Sequence, residues 1–228
     1  MAEPLERALV LDAIFYEVPA LRILQGAYLK VQRGQICGLF GRNGSGKTTL
    51  LKIATGQMRP SSGIVIIDGE RFAKPQRQRR FEKIAYLPQT PMLPKGMLVE
   101  TLIRAFPAAS RHLLRDDLLA PFRRYRIDQL SGGQRRYLEL KLVLSLGRSY
   151  VLLDEPFTGI EPLIIDRMTE AIREAAAQGS GILATDHYHH YMLPIADDAY
   201  LMIHKQCKHL DGRAELRAQL HAYGYLRT

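Results

Sequence analysis

Hydrophobic positions recur along the chain in short runs of two kinds, which predict strands and helices in alternation. Residues 8–17 and 21–31 are rich in β-favouring side chains and predict an opening antiparallel pair of strands. Further short apolar runs predict strands at 35–40, 64–67, 84–87, 150–154, 181–185 and 199–203. Helical periodicity lies between several of these runs, notably at about 47–55 and 134–146. This alternation predicts an α/β fold with a mostly parallel sheet and helical crossovers.

The segment from residue 89 to 130 differs from the rest because it shows no strand pattern. Prolines divide it at positions 91, 94, 107 and 121. The intervening residues predict short helical pieces at about 97–106, 110–120 and 121–128. We therefore expect one domain, 1–228, in which a helical subdomain at 89–147 is inserted between two parts of the core, 1–88 and 148–228.

The composition is that of an ordinary globular chain with a marked positive charge. The 228 residues have a net charge of +9, and basic residues concentrate at 71–80 and 123–136. Nucleic acid, anionic lipid head groups and phosphate ligands can each use such charge, but the first interpretation of 71–80 is a solvated loop and short helix. Few aromatic residues accompany the arginines, which argues against nucleic acid as a partner.

The same sequence predicts a chain that is neither secreted nor membrane-spanning. No apolar run approaches the roughly 20 residues that cross a bilayer, and the first residues lack the basic start and apolar block of a secretory signal. Cys37 and Cys207 have no metal-ligand or disulfide spacing, and Cys37 lies in an apolar strand where we expect it to be core. We expect a cytoplasmic protein.

A glycine-rich segment between a predicted strand and a predicted helix matches the pattern G-x-x-x-x-G-K-[ST] in full. In that setting the pattern predicts a P-loop, whose backbone N–H groups surround phosphates. The Lys47 ammonium is expected to reach the β- and γ-phosphates, and the Thr48 hydroxyl to coordinate Mg²⁺. The nucleotide-binding residues predicted here are Gly41, Arg42, Asn43, Gly44, Ser45, Gly46, Lys47, Thr48 and Thr49.

Two later strands end in side chains that can serve phosphoryl chemistry. Asp154 and Glu155 follow an apolar strand, and alternation or a local bend is expected to point them in different directions. Asp154 suits a direct or water-mediated hold on Mg²⁺, and Glu155 suits polarisation of the attacking water. His187 follows the next strand and can meet the γ-phosphate or that water. A metal cluster with His189 and His190 is the less favoured alternative, because no matching cysteine or carboxylate set accompanies them.

Residues 130–134 read Leu-Ser-Gly-Gly-Gln and come directly before a strong helical stretch. Ser131 suits the N-cap of that helix and Gly147 its C′ position. Glycines allow close backbone approach, and the free N–H groups at a helix start suit an anion. On this segment alone, an ordinary glycine turn before a buried helix is an equal alternative.

Five motifs in a fixed order resemble those of the nucleotide-binding subunits of ABC transporters. They are the P-loop, Gln89, Leu130–Gln134, Tyr150–Glu155 and His187. The similarity covers essentially the whole chain, and single-cassette subunits of export or lipid-transport systems look most similar. The resemblance implies a P-loop NTPase core, an N-terminal antiparallel β subdomain and a short inserted helical subdomain.

The resemblance also implies roles for individual residues on the side of the P-loop. Tyr16 is expected to stack on adenine, with Phe15 as the second choice and a plain packing role for Tyr16 as the alternative. Gln89 matches the glutamine that senses the γ-phosphate and Mg²⁺, so the implied metal site comprises Thr48, Gln89 and Asp154. Catalysis falls to Glu155 as general base, His187 as the switch histidine and Gln89.

A second set of residues is implied to serve the ATP bound by another subunit. Ser131 and Gly133 match residues that contact its γ-phosphate, and the whole set comprises Ser131, Gly132, Gly133 and Gln134. The expected function is therefore an ATP- and Mg²⁺-dependent ATPase that pairs with a second cassette, identical or different. It would lie on the inner face of the cell membrane and power integral membrane transporter subunits. The alternative is a soluble cassette ATPase that acts as a scaffold or remodelling factor without transport.

Two departures from the family pattern stand out. Glu161 occupies the position where the family usually has Asp in a loop that crosses the dimer interface, and Glu is a poorer N-cap than Asp. The insert from residue 89 to 130 also looks shorter than usual. We therefore expect weaker communication through that loop and an unusual surface for the membrane partner.

Overall fold

A computed structural model describes residues 7–73, 76–185 and 189–210, together with the single positions 218 and 222. Its strands are β1 (Ala8–Val18), β2 (Leu21–Gln32), β3 (Ile36–Phe40), β4 (Ser62–Ile67), β5 (Glu70–Phe72), β6 (Ile84–Leu87), β7 (Tyr150–Asp154), β8 (Gly181–Thr185), β9 (Asp198–Ile203) and β10 (Gln206–Leu210). Its helices are α1 (Lys47–Ala54), α2 (Arg77–Phe81), α3 (Val99–Arg104), α4 (Pro107–Leu113), α5 (Gly132–Leu144), α6 (Pro162–Ala177) and α7 (His189–Met192), with short 3₁₀ turns at Ala120–Phe122 and Ile127–Gln129.

The strands form two sheets. The first has the order β2-β1-β4-β5 and antiparallel pairing throughout, so the predicted opening pair is confirmed. The second has the order β10-β9-β3-β8-β7-β6, with parallel pairing except between β10 and β9. Every residue of β3, β7 and β8 is buried, which explains why these strands read as unbroken apolar runs rather than as alternating ones. The mostly parallel α/β core is confirmed, and Cys37 is buried within it.

Two strands were not predicted from the sequence. The strand β5 has only three residues and begins with charged ones, so its local pattern is that of a turn. The strand β10 is polar and largely exposed because it lies at the edge of its sheet and, among the described strands, pairs only with β9. Both strands depend on a neighbouring strand rather than on their own composition.

The segment between β6 and α5 is helical, as expected, but its pieces are shifted. The helix predicted at 110–120 is instead α4, which begins at Pro107 because proline suits the first position of a helix. The piece predicted at 121–128 is replaced by the two 3₁₀ turns. Apolar side chains of this segment, including Val99, Ile103 and Ile127, are buried in the same cluster as Leu138 of α5. The insert is therefore packed directly on the helix that follows it.

The boundaries of α5 also differ slightly from the prediction. The helix begins at Gly132 with Ser131 as its N-cap, which confirms the predicted cap. It ends at Leu144 with Ser145 as C-cap, so Leu146 is the C′ residue, and Gly147, with φ of 58°, lies one residue beyond the C′ position predicted for it. None of the helices in the described ranges is both long enough and apolar enough to cross a bilayer.

Arg80 is the exception to the predicted solvated face at 71–80. Arg71, Arg77 and Arg79 are exposed, but Arg80 is only 1% exposed. Its guanidinium donates to the carbonyl oxygens of Ile53 at 2.6 Å and Ala54 at 3.3 Å, and to that of Phe72 at 3.1 Å. Burial lowers the pKa of Arg80 to about 10, which still leaves it charged at neutral pH. The arginine ties α2 to the last turn of α1.

A polar cluster joins the two sheets at the turn between β4 and β5. The Asp68 carboxylate accepts hydrogen bonds from Arg33 at 2.5 Å and 3.0 Å and from the Tyr150 hydroxyl at 2.7 Å. Burial tends to raise the pKa of Asp68, but the hydrogen bonds of Arg33 and Tyr150 and the charges of Arg33 and Lys83 outweigh it, so the pKa lies below 3.8. Asp68 therefore links β2, β4 and β7 through its ionised form.

Candidate active site

The P-loop segment connects β3 to α1 in a conformation that requires glycine at its end. Gly46 is the N-cap of α1 with φ of 108°, and an added Cβ would lie 2.9 Å from the Leu24 side chain. Lys47 is almost fully buried, and its ammonium donates to the carbonyl oxygens of Gly41 at 2.7 Å and Arg42 at 3.1 Å. The lysine side chain therefore lies against the loop that it would share with a phosphate.

This segment fits a polyphosphate on its own chemistry. It places a lysine ammonium and a tight backbone turn, closed by the bond from the Ser45 N–H to the Arg42 carbonyl at 3.1 Å, at the amino end of α1. The N–H groups of a first helical turn lack intrahelical partners and attract anions. The residues from Gly41 to Thr49 thus lie together as predicted, while their contacts with a nucleotide remain a proposal.

Asp154 is completely buried at the end of β7 and accepts hydrogen bonds from three hydroxyl groups. One carboxylate oxygen receives Thr48 Oγ1 at 3.1 Å and Thr185 Oγ1 at 3.0 Å, and the other receives the Tyr86 hydroxyl at 3.0 Å. Burial, together with the adjacent Asp154, raises the pKa of Tyr86, so the phenol stays a neutral donor. The Thr48–Asp154 contact supplies the hard oxygen ligands that Mg²⁺ prefers.

Glu155 turns away from Asp154 because its backbone has a left-handed conformation, with φ of 47°. Of the two explanations offered for their different directions, a local bend is the correct one. The Glu155 N–H donates to the Thr185 carbonyl at 3.0 Å and lies 3.1 Å from its hydroxyl, which fixes the bend. A non-glycine residue in this region costs about 1–3 kcal/mol, and such strain is concentrated at functional sites.

The Glu155 carboxylate is linked to the loop that follows β6. Its Oε2 accepts a hydrogen bond from Gln89 Nε2 at 2.8 Å, and Thr158 Oγ1 lies 3.5 Å away. A cleft of about 320 Å³ borders this pair and is also lined by Gly132 and Arg135 at the start of α5. The structure therefore brings Gln89 and Glu155 together, as the predicted catalytic roles require.

The start of α5 has the cap that its sequence predicts. Ser131 Oγ accepts from the Gln134 N–H at 3.1 Å, and the Gln134 side chain accepts from the Ser131 N–H at 2.9 Å. Gly132 is exposed, with nothing within 4 Å of an added Cβ, whereas a Cβ on Gly133 would lie 2.7 Å from Ile164 of α6. An added Cβ would enter open space at the first glycine, whereas at the second it would force the Ile164 side chain to shift.

Three other predicted residues have different outcomes. Tyr16 is half-buried and pairs with Leu24, the residue that touches the P-loop glycine, while Phe15 is more exposed. Glu161 is the N-cap of α6 and makes no side-chain cap hydrogen bond, in keeping with its poorer capping chemistry. His187 lies outside the described residues, so its role stays a prediction.

Sequence reasoning missed four side chains that support this site. Tyr86 and Thr185 hold Asp154, and their signal was a hydroxyl at or near the end of a strand beside the carboxylate strand. Arg136 and Glu139 form a buried ion pair on α5 at 3.1 Å. Their signal was two opposite charges three residues apart in a helix otherwise rich in leucine.

Comparisons with known proteins agree with this geometry. Residues 24–158 match the ABC transporter family. An uncharacterized ABC transporter ATP-binding protein of Rhizobium meliloti is 34% identical over 193 residues, covering 79% of this chain and 72% of the relative. The lipopolysaccharide export system ATP-binding protein LptB of Escherichia coli is 31% identical over 199 residues, covering 79% and 80%.

Solved structures give the same result for the fold. The structure of an ATP-binding subunit of an ABC transporter superposes with a TM-score of 0.81 at 26% identity, covering 95% of this chain and 94% of that one. The family match over residues 24–158 includes the P-loop, the start of α5 and the Asp154–Glu155 pair. The chain therefore belongs to the ABC transporter family and is one of its ATP-binding cassette ATPases.

Proposed function

We propose that this cassette pairs head to tail with a second one around two ATP molecules and powers integral membrane transporter subunits. The observation that supports this best is the assembly of two pairs, Thr48–Asp154 and Gln89–Glu155, at the carboxyl ends of β3, β6 and β7. The first pair supplies oxygen ligands beside the phosphate loop. The second supplies a carboxylate base held by an amide.

This chain is proposed to supply the phosphate-binding loop, the metal ligands and the base for the hydrolytic step. The loop from Gly41 to Thr49 and the Lys47 ammonium bind the phosphates, and a Mg²⁺ ion held by Thr48, Asp154 and Gln89 would neutralise charge on the phosphate oxygens. Glu155 accepts a proton from the attacking water as its oxygen bonds to the γ-phosphorus and the bond to ADP breaks. His187 is proposed to orient the γ-phosphate, and Tyr16 to stack on adenine.

The second half of each site is proposed to come from the partner cassette. Ser131 and Gly132 are exposed at the start of a thirteen-residue helix, with space around the glycine for a phosphate. Two cassettes related by a twofold axis would each present this segment to the other's ATP. Hydrolysis then removes the charge that joined the two chains, and they separate.

The membrane partner is proposed to contact the helical segment between β6 and α5. Four large apolar side chains are exposed there, whereas others, such as Val99 and Ile103, are buried in the core. The exposed ones are Met92, Met97, Leu98 and Tyr125. Because relatives such as LptB of Escherichia coli are named as export subunits, we infer a similar single-cassette export system at the inner face of the cell membrane.

The test is purification of the native complex from membranes with a tagged Glu155→Gln chain in the presence of ATP. We expect a stoichiometric polytopic protein to co-purify and, on reconstitution with the unmodified chain, to stimulate its ATPase activity. Lys47→Ala is the matched control, and it should reduce ATP-dependent pairing. An active ATPase that never associates with a polytopic protein would favour the scaffold or remodelling alternative, and salt-sensitive DNA binding would favour nucleic acid.

A further inference from the structure

The Arg136–Glu139 pair lies at the centre of a buried polar cluster that joins three segments of the chain. The two side chains are 9% and 1% exposed, and Arg136 donates to the Glu139 carboxylate at 3.1 Å. The same guanidinium nitrogen donates to the carbonyl oxygen of Pro88 at 2.7 Å. The pair therefore contacts the end of β6 as well as its own helix, α5.

The other guanidinium nitrogens reach the end of β7. One donates to the Asp154 carbonyl at 2.9 Å and lies 3.5 Å from that of Glu155. The Nε group lies 3.4 Å from the carbonyl oxygen of Pro156. Through these hydrogen bonds Arg136 holds the backbone on both sides of Glu155.

Glu139 completes the arrangement on the side of Gln89. Its second oxygen accepts a hydrogen bond from the Met92 N–H at 2.9 Å. The backbone is therefore held before Gln89, at Pro88, and after it, at Met92, by two charged residues three positions apart on one helix. Both partners of the Gln89–Glu155 hydrogen bond have their backbones fixed from α5.

Such a pair is costly to bury, which makes its position informative. Burial lowers the pKa of Arg136, and the hydrogen bond and charge of Glu139 oppose that shift. Well-packed apolar side chains of similar volume often stabilise a fold as well as a buried ion pair does. What apolar side chains cannot do is hold five backbone groups at fixed distances, because they offer no donors or acceptors.

We propose that Arg136 and Glu139 are positioning residues that fix Gln89 and Glu155 relative to the start of α5. This inference rests on the proposed roles of Glu155 as base and Ser131 as a contact to the partner's ATP. A displacement of the start of α5 by that ATP would then alter the Gln89–Glu155 geometry in the same chain. The pair provides a connection between the two ATP sites that does not depend on Glu161.

The chain offers a matched control for the test. Arg167 and Glu170 on α6 also lie three positions apart and form an ion pair at 3.5 Å, but their side chains are 53% and 62% exposed. The test variants are Arg136→Lys and Glu139→Gln, and the controls are Arg167→Lys and Glu170→Gln. Steady-state ATPase kinetics and nucleotide affinity are measured on the full chain of each.

We expect the buried-pair variants to reduce kcat by roughly 10- to 100-fold, because small misplacements of catalytic groups have effects of that size. Nucleotide affinity and KM should change by less than about twofold, since the P-loop is not held by this pair. The exposed-pair controls should match the unmodified chain. Wild-type kcat in the buried-pair variants would overturn the inference, and so would a parallel loss of kcat, nucleotide affinity and thermal stability.

Glu139→Gln leaves the buried Arg136 without its charge partner and can impair folding. The double variant Arg136→Gln, Glu139→Gln removes both charges and keeps groups that hydrogen-bond, so it should fold and still show the reduced kcat. Normal kcat in a folded double variant would again overturn the inference. Glu155→Gln separates the two proposals. Normal turnover by Glu155→Gln would remove the proposed base role. If Glu155→Gln is inactive but Arg136→Lys has wild-type kcat, only the positioning role is removed.

Discussion

The side-chain amide of Gln89 donates a 2.8 Å hydrogen bond to the carboxylate of Glu155. Gln89 lies just beyond the end of β6 and Glu155 just beyond the end of the neighbouring parallel strand β7. Parallel pairing places both strand ends at the same edge of the sheet, so the contact follows from topology as well as from side-chain chemistry. The candidate base is thereby oriented by a side chain of its own chain.

Glu155→Gln should reduce ATP turnover by at least about 100-fold, because the amide cannot accept the proton from water. Gln at this position can still accept the hydrogen bond from Gln89, so the fold and the nucleotide affinity should be retained. Single-turnover hydrolysis and equilibrium nucleotide binding are the two measurements. Glu82→Gln, on an exposed turn, is the control and should behave as the unmodified chain. Normal turnover by Glu155→Gln would contradict the assignment.

Lys47→Ala should weaken nucleotide binding by roughly 10- to 100-fold, the equivalent of losing one strong charge-assisted hydrogen bond. The effect should be larger for ATP than for AMP, because the ammonium is expected to serve the outer phosphates. Titration with a fluorescent nucleotide measures it, and Lys52→Ala, on the last turn of the same helix, is the control. An unchanged affinity for ATP would argue against the P-loop assignment.

Gly132→Ala and Gly133→Ala should distinguish a glycine that leaves room for a ligand, Gly132, from one that packs against α6, Gly133. A Cβ on Gly133 would meet Ile164 at 2.7 Å, whereas a Cβ on Gly132 would meet nothing within 4 Å. We expect Gly133→Ala to be less stable than Gly132→Ala by about 1 kcal/mol in urea unfolding, because the Ile164 side chain must shift.

The same glycine pair gives a second readout in pairing. Gly132→Ala should weaken ATP-dependent dimer formation in sedimentation or light scattering while leaving the free energy of unfolding unchanged or slightly increased. Equal stability of the two variants would contradict the packing role of Gly133. Unaltered dimer formation by Gly132→Ala would contradict the proposal that the space at Gly132 receives the partner's ATP.

Asp68→Asn should destabilise the protein by about 1–2 kcal/mol at neutral pH, because charge-assisted hydrogen bonds to Arg33 are lost. Its backbone φ of 51° suits Asn as well as Asp, so the turn is preserved. The folded-state pKa of Asp68 lies below 3.8, so the carboxylate contributes its stability above that pH and loses it as the pH falls through the folded value. The difference between wild type and variant should therefore shrink on acidification.

Urea unfolding at several values from about pH 7 to about pH 3 tests this dependence. Asp166→Asn, on the exposed face of α6, is the control and should show little effect at any pH. A difference for Asp68→Asn that stays constant across the range would mean that the ionised carboxylate is not the source of the stability.

Most of the fold follows from local sequence because its central strands are buried on both faces. The limits of β6, β7 and β8 were predicted to the residue, since each is a short apolar run stopped by proline or by charged residues. The strands β5 and β10 were missed because pairing with β4 and β9 determines them rather than their own composition. Segment 97–128 was predicted as helical but with wrong limits, since short helices obtain their stability from the surface on which they pack.

The site shows the same division between local and distant information. The acidic pair at the end of an apolar strand identified Asp154 and Glu155, and the family resemblance identified Gln89. Sequence patterns did not identify Tyr86 or Arg136. Tyr86 bonds the Asp154 carboxylate 68 positions along the chain, and Arg136 bonds the Asp154 carbonyl 18 positions away. Contacts of that kind depend on which strands become neighbours, and a local pattern does not contain that information.

The buried Arg80 has an electrostatic consequence for the phosphate loop at the other end of α1. The last carbonyls of a helix amount to about half a negative charge, and its first N–H groups to about half a positive one. By bonding the Ile53 and Ala54 carbonyls, the Arg80 guanidinium cancels the negative end of this eight-residue helix. The positive end is then left without its opposing pole, only about 12 Å away. The field that attracts a nucleotide to the loop therefore draws on a cation contributed by a different helix.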